Sequence, residues 1–153
     1  MQPSLTRVAQ VLLVASSLAG TLLPASGAPS KPVSIAAVAS DDLESLPYMC
    51  ECEFYRGPIS GETTVFATRD ERNVALAEID GRLANLRRDG EEALSICNPR
   101  REYHERWTEG STSVLLVVHP TGRGEEACWY TGTMTVTVGR RRGSTAIRGS
   151  CGC

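Results

Sequence analysis

The chain has 153 residues, with 16 basic and 18 acidic side chains and a formal net charge of −2. That length sets a prior of one domain, and the near balance of charge excludes the strongly basic surface that nucleic-acid binding requires. Six cysteines, an even count lying wholly beyond the apolar N-terminal run, favour disulfides in a small exported domain over reduced thiols.

Arg7 precedes an apolar run from Val8 to Leu23, which Pro24 breaks and Ala25-Ser26-Gly27-Ala28 follows. A charged start, an apolar centre and a small-residue site read as a secretory signal peptide over residues 1–28. A spanning anchor needs about 20 apolar residues, and this run is shorter and contains Gln10, Ser16 and Ser17. No integral membrane segment is therefore expected after cleavage. No cysteine follows closely enough for a lipid anchor. Loss of Arg7 with the leader leaves 15 basic and 18 acidic residues, a net charge of −3.

Residues 29–47 are rich in Ala, Ser and Pro, with acidic Asp41, Asp42 and Glu44 and no core-forming period. They read as a flexible linker, with a short helix at Asp41–Leu46 as the alternative. Residues 48–153 then form a single β-domain, large enough to bury a core of its own.

Within it, Met49–Tyr55 alternates, placing Cys50, Cys52 and Phe54 on one face and Glu51, Glu53 and Tyr55 on the other. Turn residues Gly57-Pro58 and Ser60-Gly61 lead to a β-rich Thr63–Thr68, which predicts a first hairpin. Over Arg69–Leu86 the apolar residues recur at helical spacing, yet Asp80-Gly81 is a strong hairpin signal. We read two strands there, Asn73–Ile79 and Arg82–Leu86, over a single helix. Leu94–Cys97 reads as a short strand. Glu102–Thr108 reads as another, with Tyr103 and Trp107 on one face and His104 and Arg106 on the other.

Ser113–His119 contains the most apolar run and predicts a strand buried on both faces. Pro120–Glu126 reads as a loop. Cys128–Val138 alternates most clearly, with Cys128, Tyr130, Met134, Val136 and Val138 against Thr131, Thr133, Thr135 and Thr137. After a turn at Gly139–Gly143 the last strand sets Ile147, Cys151 and Cys153 on one face. The expected fold is all-β: a single small antiparallel β-barrel or sandwich, disulfide-stapled.

The cysteines carry the one spatial inference. Cys50-Glu51-Cys52 and Cys151-Gly152-Cys153 each present two sulfurs to one side of a strand. If the first and last strands are neighbours, two bridges join them and Cys97 and Cys128 remain as a pair. Spacing alone leaves 15 pairings open. The rival reading is a thiolate site for zinc or copper(I), or a redox centre. It is disfavoured because one residue between ligands is shorter than the two to four usual for zinc.

No residue is nominated as catalytic, cofactor-binding or metal-ligating, and no cofactor is expected. His104 and His119 have no acidic or nucleophilic partner at a recognisable spacing. Glu51 and Glu53 read as solubilising residues on a wet face, Arg140-Arg141-Arg142 as a solvated hairpin tip, and Trp107, Trp129 and Tyr130 as core and half-core aromatics.

Tyr48-Met49-Cys50, then Ile79-Asp80-Gly81 with Leu86, then Tyr103 through Trp107-Thr108-Glu109-Gly110 together resemble the membrane-bound and periplasmic inhibitors of c-type lysozyme. The resemblance covers roughly Tyr48 to Leu116. It implies a small exported β-barrel that inserts a loop into an enzyme active site. The chain departs from that family where its inhibitory residues stand. A Ser-Gly stretch is replaced by Asn98-Pro99-Arg100-Arg101-Glu102, and the turn lysine by Glu109. The second half, Tyr130–Val136 with Gly149–Cys153, resembles small exported bacterial proteins of unknown function.

The expected protein is a secreted or periplasmic, non-enzymatic binding or inhibitory module. Its partner is an extracytoplasmic protein or glycan, held by loops at Arg100–Glu102, Glu109–Ser111, Pro120–Glu126 and Gly139–Gly143.

Overall fold

Asp80 and Gly81 both take positive φ, 53° and 76°, which is the pair of left-handed residues that a tight two-residue hairpin requires. They join β4 (Val74–Ile79) to β5 (Arg82–Asp89) in an unbroken antiparallel register from Ile79↔Arg82 to Val74↔Arg87. The hairpin reading of this stretch is correct and the helical alternative is not. A computed structural model describes residues 30–44, 51–57, 63–69, 73–90, 94 and 101–152. The expected signal peptide lies outside the described residues, as do Cys50, Cys97 and Cys153.

The other long elements are β2 (Glu51–Arg56), β3 (Thr63–Arg69), β6 (Tyr103–Glu109), β7 (Thr112–Arg123), β8 (Ala127–Val138) and β9 (Arg141–Gly152). From β2 to β9 each strand pairs antiparallel with the next, and β9 returns to pair with β2 from Tyr55↔Arg148 to Glu51↔Gly152. The result is a closed eight-stranded up-and-down barrel. Closure leaves every strand with one inner and one outer face, which is why alternation was so readable in β2 and β8.

The seam between β9 and β2 is fixed covalently. Cys52 and Cys151 stand directly opposite each other with Cα atoms 4.0 Å apart, and their sulfurs are bonded. Cys128 is the next residue in the same row, opposite Cys151 across β8 and β9. It too is disulfide-bonded, and its partner lies outside the described residues. The Cys52 amide donates to Thr68 Oγ1 at 2.7 Å, so the staple is also tied to β3.

Five of the seven aromatic residues among those described fill the interior. Ring contacts run from Tyr103 to Tyr130 (6.1 Å between centroids), Tyr130 to Phe54 (6.4 Å), Phe54 to Phe66 (6.1 Å) and Phe66 to Trp107 (5.4 Å). Tilted and edge-on contacts at these distances suit the ring quadrupole. Cys52, Leu86, Val114, Leu116, Met134, Val136 and Ile147 pack around that file. An eight-stranded barrel is just wide enough for side chains to fill, or for one small ligand. Here the side chains occupy the space.

Four expectations need correction. Residues 29–47 were expected to be a flexible linker; instead residues 30–44 are folded on the barrel. β1 (Ile35–Ala36) pairs with the end of β4, α1 (Ser40–Glu44) follows, and Val33, Ile35 and Val38 are buried. The segment has no period of its own because tertiary partners supply its hydrogen bonds. The Ser34 amide donates to Asp80 Oδ1 at 3.0 Å, the Asp80 amide to the Ser34 carbonyl at 3.0 Å, and the Val38 amide to the Thr64 carbonyl at 2.8 Å. Arg56 donates to the Ile35 carbonyl at 2.9 Å.

Cover on both faces falls on β4 and not on β7. Ala75, Ala77 and Ile79 belong to the interior, while Leu76 joins Val38, Ala67, Leu43 and Leu83 in a second cluster beneath the N-terminal segment. In β7 the buried residues Thr112, Val114, Leu116, Val118 and Pro120 fall on one face, and Leu115 and Val117 on the outer wall are half-buried. A continuous apolar run signals two-sided burial only where something covers the second face.

Pro120–Glu126 is strand as far as Arg123, with a register shift between Pro120 and Gly122. A strand tolerates proline where its missing N–H faces no partner, and pairing between β6 and β7 stops at Tyr103↔Val118. Leu94 lies outside any strand, and residues 95–97 are not described. Its peptide is held at the barrel's end, the amide donating to Glu105 Oε1 at 3.2 Å and the carbonyl accepting from the Tyr130 hydroxyl.

Two measurements check this architecture. Cys52 and Cys151 are 99 residues apart, a closure worth roughly 4–5 kcal/mol in the chain-entropy treatment. Replacing both by alanine is expected to lower the urea-unfolding free energy by about 2–5 kcal/mol, whereas an unchanged midpoint would show that the seam holds without its covalent bond. Asp80 is held below the ordinary carboxylate range by the Ser34 amide and then by Arg141, whose Nη2 lies 2.6 Å from Oδ2. Its contribution is therefore complete above the unfolded-state pKa, about 3.9, and is lost as pH falls through the lower folded value. Hydrogen exchange at the Ser34 amide should accelerate in that acid window beyond its intrinsic pH dependence. In Asp80→Asn, which keeps the turn but not the charge, that added acceleration should vanish.

Candidate binding surface

The loops named as binding candidates divide between the two ends of the barrel. The β6–β7 connection at Glu109–Ser111 and the β8–β9 connection at Gly139–Arg140 lie at the end where Asp80-Gly81 joins β4 to β5. The chain before β6, including Arg101 and Glu102, and the turn after Arg123 lie at the other end. Each is engaged locally. Glu109 accepts from Arg82 at 2.5 Å and from the Asn85 amide at 3.2 Å. Arg101 lies 5.4 Å from the Tyr103 ring centroid. Glu102 meets exposed His104 at 2.8 Å. The arginine triplet separates: Arg140 is exposed, Arg141 pairs with Asp80, and the Arg142 carbonyl accepts from the Val33 amide.

The cysteine row is structural in this oxidation state, since the sulfurs of Cys52, Cys128 and Cys151 are spent in disulfides. Among the described residues, no group of three or more His, Cys, Asp or Glu side chains is arranged to hold a metal ion. Glu105, which the reading of β6 passed over, stands between Tyr103 and Trp107 on the inward face and is buried. Its bond to the Leu94 amide gives it a structural task at the barrel's end.

A groove of about 610 Å³ lies instead on the outer wall where β2, β9 and β8 run side by side. Register explains its composition. One row across the three strands reads Tyr55, Arg148, Thr131, and the adjacent row reads Glu53, Ser150, Trp129. Tyr55, Trp129, Thr131, Arg148 and Ser150 line the groove, joined by Thr121 from the shifted stretch of β7. Neighbouring strands are about 4.8 Å apart, so the trough across β9 is about 10 Å wide.

Trp129 is the one large apolar side chain among the described residues that is well exposed, at 48%. It was grouped with Trp107 and Tyr130 as a core or half-core aromatic. Those two are fully buried, but Trp129 is not. Its parity was legible, because Cys128 and Tyr130 face inward and the residue between them must face out with the threonines. The indole is seated on glycine. A Cβ added at Gly122 would come within 3.0 Å of its Cε3, and one at Gly124 within 3.2 Å of its Cη2. With hydrogen at both positions the ring lies against the β7 backbone, leaving the rest of its surface to solvent.

The opposite bank carries acid. The Tyr55 hydroxyl donates to Glu53 Oε2, which fixes the phenol along its own strand. Burial, reinforced by the charge of Glu53, pushes the Glu51 carboxyl above the ordinary range. The groove therefore combines an aromatic platform, a guanidinium, hydroxyls and a bordering carboxylate on adjacent strands of a closed sheet. That set can stack on a flat apolar surface and exchange hydrogen bonds around its rim. It offers no nucleophile paired with a base. No family model, curated protein or solved structure matches the chain.

Proposed function

We propose that this chain is an exported, non-enzymatic binding module that engages a protein or glycan outside the inner membrane. The observation that carries the reading is Trp129, held exposed beside a groove on the wall of a barrel whose interior is already full. Exposing a large aromatic costs hydrophobic free energy, and a binding surface is where that exposure is used. The disulfide at the β9–β2 seam fits an oxidising destination. The inhibitor form of the proposal draws only on the resemblance over Tyr48–Leu116, and Glu109 in the corresponding turn is committed to Arg82 and Asn85. A thiol-based metal or redox role needs free thiolates, whereas the described cysteines are in disulfides.

Alkylation and chelation test the reading against its thiol-based rival. In the chain purified from its cellular destination, the six cysteines should resist alkylation until reduced, and a chelator should leave the unfolding midpoint unchanged. Reactive thiols, or a native mass that carries metal, would transfer the activity to the Cys-x-Cys elements and end the binding-module proposal. Inhibition of a c-type lysozyme at stoichiometric ratio would establish the inhibitor form, and undiminished lysozyme activity would remove it.

A further inference from the structure

We infer that the Trp129 groove is a saccharide site whose ligand is a neutral oligosaccharide, an inference that rests on the binding-module reading and names its ligand. A pyranose ring has an apolar face of C–H groups and a rim of hydroxyls. It is recognised by an aromatic plane under the face and by donors and acceptors around the edge. The ring's partial positive C–H groups suit the negative face of the indole.

The outer wall provides these parts in register. Trp129 supplies the plane, held in place by Gly122 and Gly124. Ser150 lies opposite it on β9, with Arg148 and Thr131 in the next row. Arg148 carries donors only, the hydroxyls of Ser150 and Thr131 both donate and accept, and Glu53, outside the lining in the row of Ser150, is an acceptor that already receives the Tyr55 hydroxyl. A volume of about 610 Å³ falls within the roughly 300–1,000 Å³ typical of small-molecule sites, and suits a short oligosaccharide better than a single sugar.

Charge decides between classes of sugar. Arg148 and Glu53 are separated by two residues along the sheet and one strand across it, with Glu51 two residues further on. A uronic or sialic acid would gain from Arg148 and be opposed by the two carboxylates. An amino sugar carrying a free ammonium would meet the reverse. A ligand with hydroxyls and no net charge uses both kinds of group without opposing either.

The platform is also rigid. Trp129 is on a strand paired on both sides, with β7 through Gly122 and with β9 through Ser150. Pre-set geometry spares the ordering cost that weak, hydrated ligands cannot offset. This favours sugar recognition by a wall of sheet over recognition by a mobile loop.

The test is a titration of the full, oxidised chain with soluble chito-, cello- and malto-oligosaccharides and with an acidic oligouronate. Tryptophan fluorescence and two-dimensional NMR provide the readouts. One neutral series should shift the Trp129 indole N–H together with Thr131 and Arg148 amides, and leave the buried Trp107 unmoved. Trp129→Ala should weaken binding by about 10–30-fold, the loss expected of a central aromatic contact, and Trp129→Phe by less. The NMR map on the unsubstituted chain locates the site should either variant fold poorly.

No shift at Trp129 with any neutral series at millimolar concentration, shifts confined to another surface, or preference for the oligouronate would each overturn the saccharide assignment. Those outcomes leave the binding-module reading in place. Cleavage of a bound oligosaccharide would instead retain the site and overturn the non-enzymatic reading.

Discussion

The pairing of β9 with β2 is the constraint on which the rest depends. Without it the chain is an open meander whose first and last strands expose unpaired amides and carbonyls, a template for association. With it there are no ends to the sheet. The Cys52–Cys151 bond makes the pairing hard to lose, and Cys128 extends the same row to β8. Closure then dictates everything about where chemistry can lie. The inner faces converge on one small volume, the aromatic file from Tyr103 to Trp107 fills it, and what remains for recognition is the wall and the two rims.

The rims are closed by different means. At one, Asp80 serves as turn residue and as anchor, receiving the Ser34 amide and Arg141 while its own amide donates to the Ser34 carbonyl. The N-terminal segment is thereby laid across the end of β4 and carried on to cover Leu76. At the other, the Leu94 peptide is held between a buried carboxylate and a buried phenol. Glu105 and Tyr130 are costly to bury without partners, so the same pairings that seal the rim also satisfy the interior. Loops already committed to sealing are poorly placed to receive a partner, and the engagement of Glu109, Arg141 and Arg101 follows that logic.

What was legible in the sequence is what closure makes local. Alternation in Glu51–Tyr55 and Cys128–Val138 reports inside and outside directly, and Asp80-Gly81 carries its own turn geometry. The pairing of the two cysteine-bearing strands could be inferred from sulfur spacing and was right for Cys52 and Cys151. The failures are non-local. Val33, Ile35 and Val38 are scattered among Ala, Ser and Pro, and their burial depends on an aspartate some 46 positions away. Pro120 and Gly122 read as loop residues because a strand edge that needs no N–H leaves no mark in the sequence. The apolar run in β7 looked doubly buried because composition cannot say whether anything covers the outer face.

Trp129 joins these lessons to function. Its neighbours Gly122 and Gly124 looked like loop punctuation, and its own bulk suggested the core. Only the barrel's register brings the three together, with glycine removed from beneath the ring so that the indole can lie on the sheet. Two residue choices that are individually poor for a strand, glycine in β7 and an exposed tryptophan in β8, become mutually consistent at one place. Local rules broken together beside a groove support the binding proposal, because the fold's own requirements are met by the opposite face of the same strands.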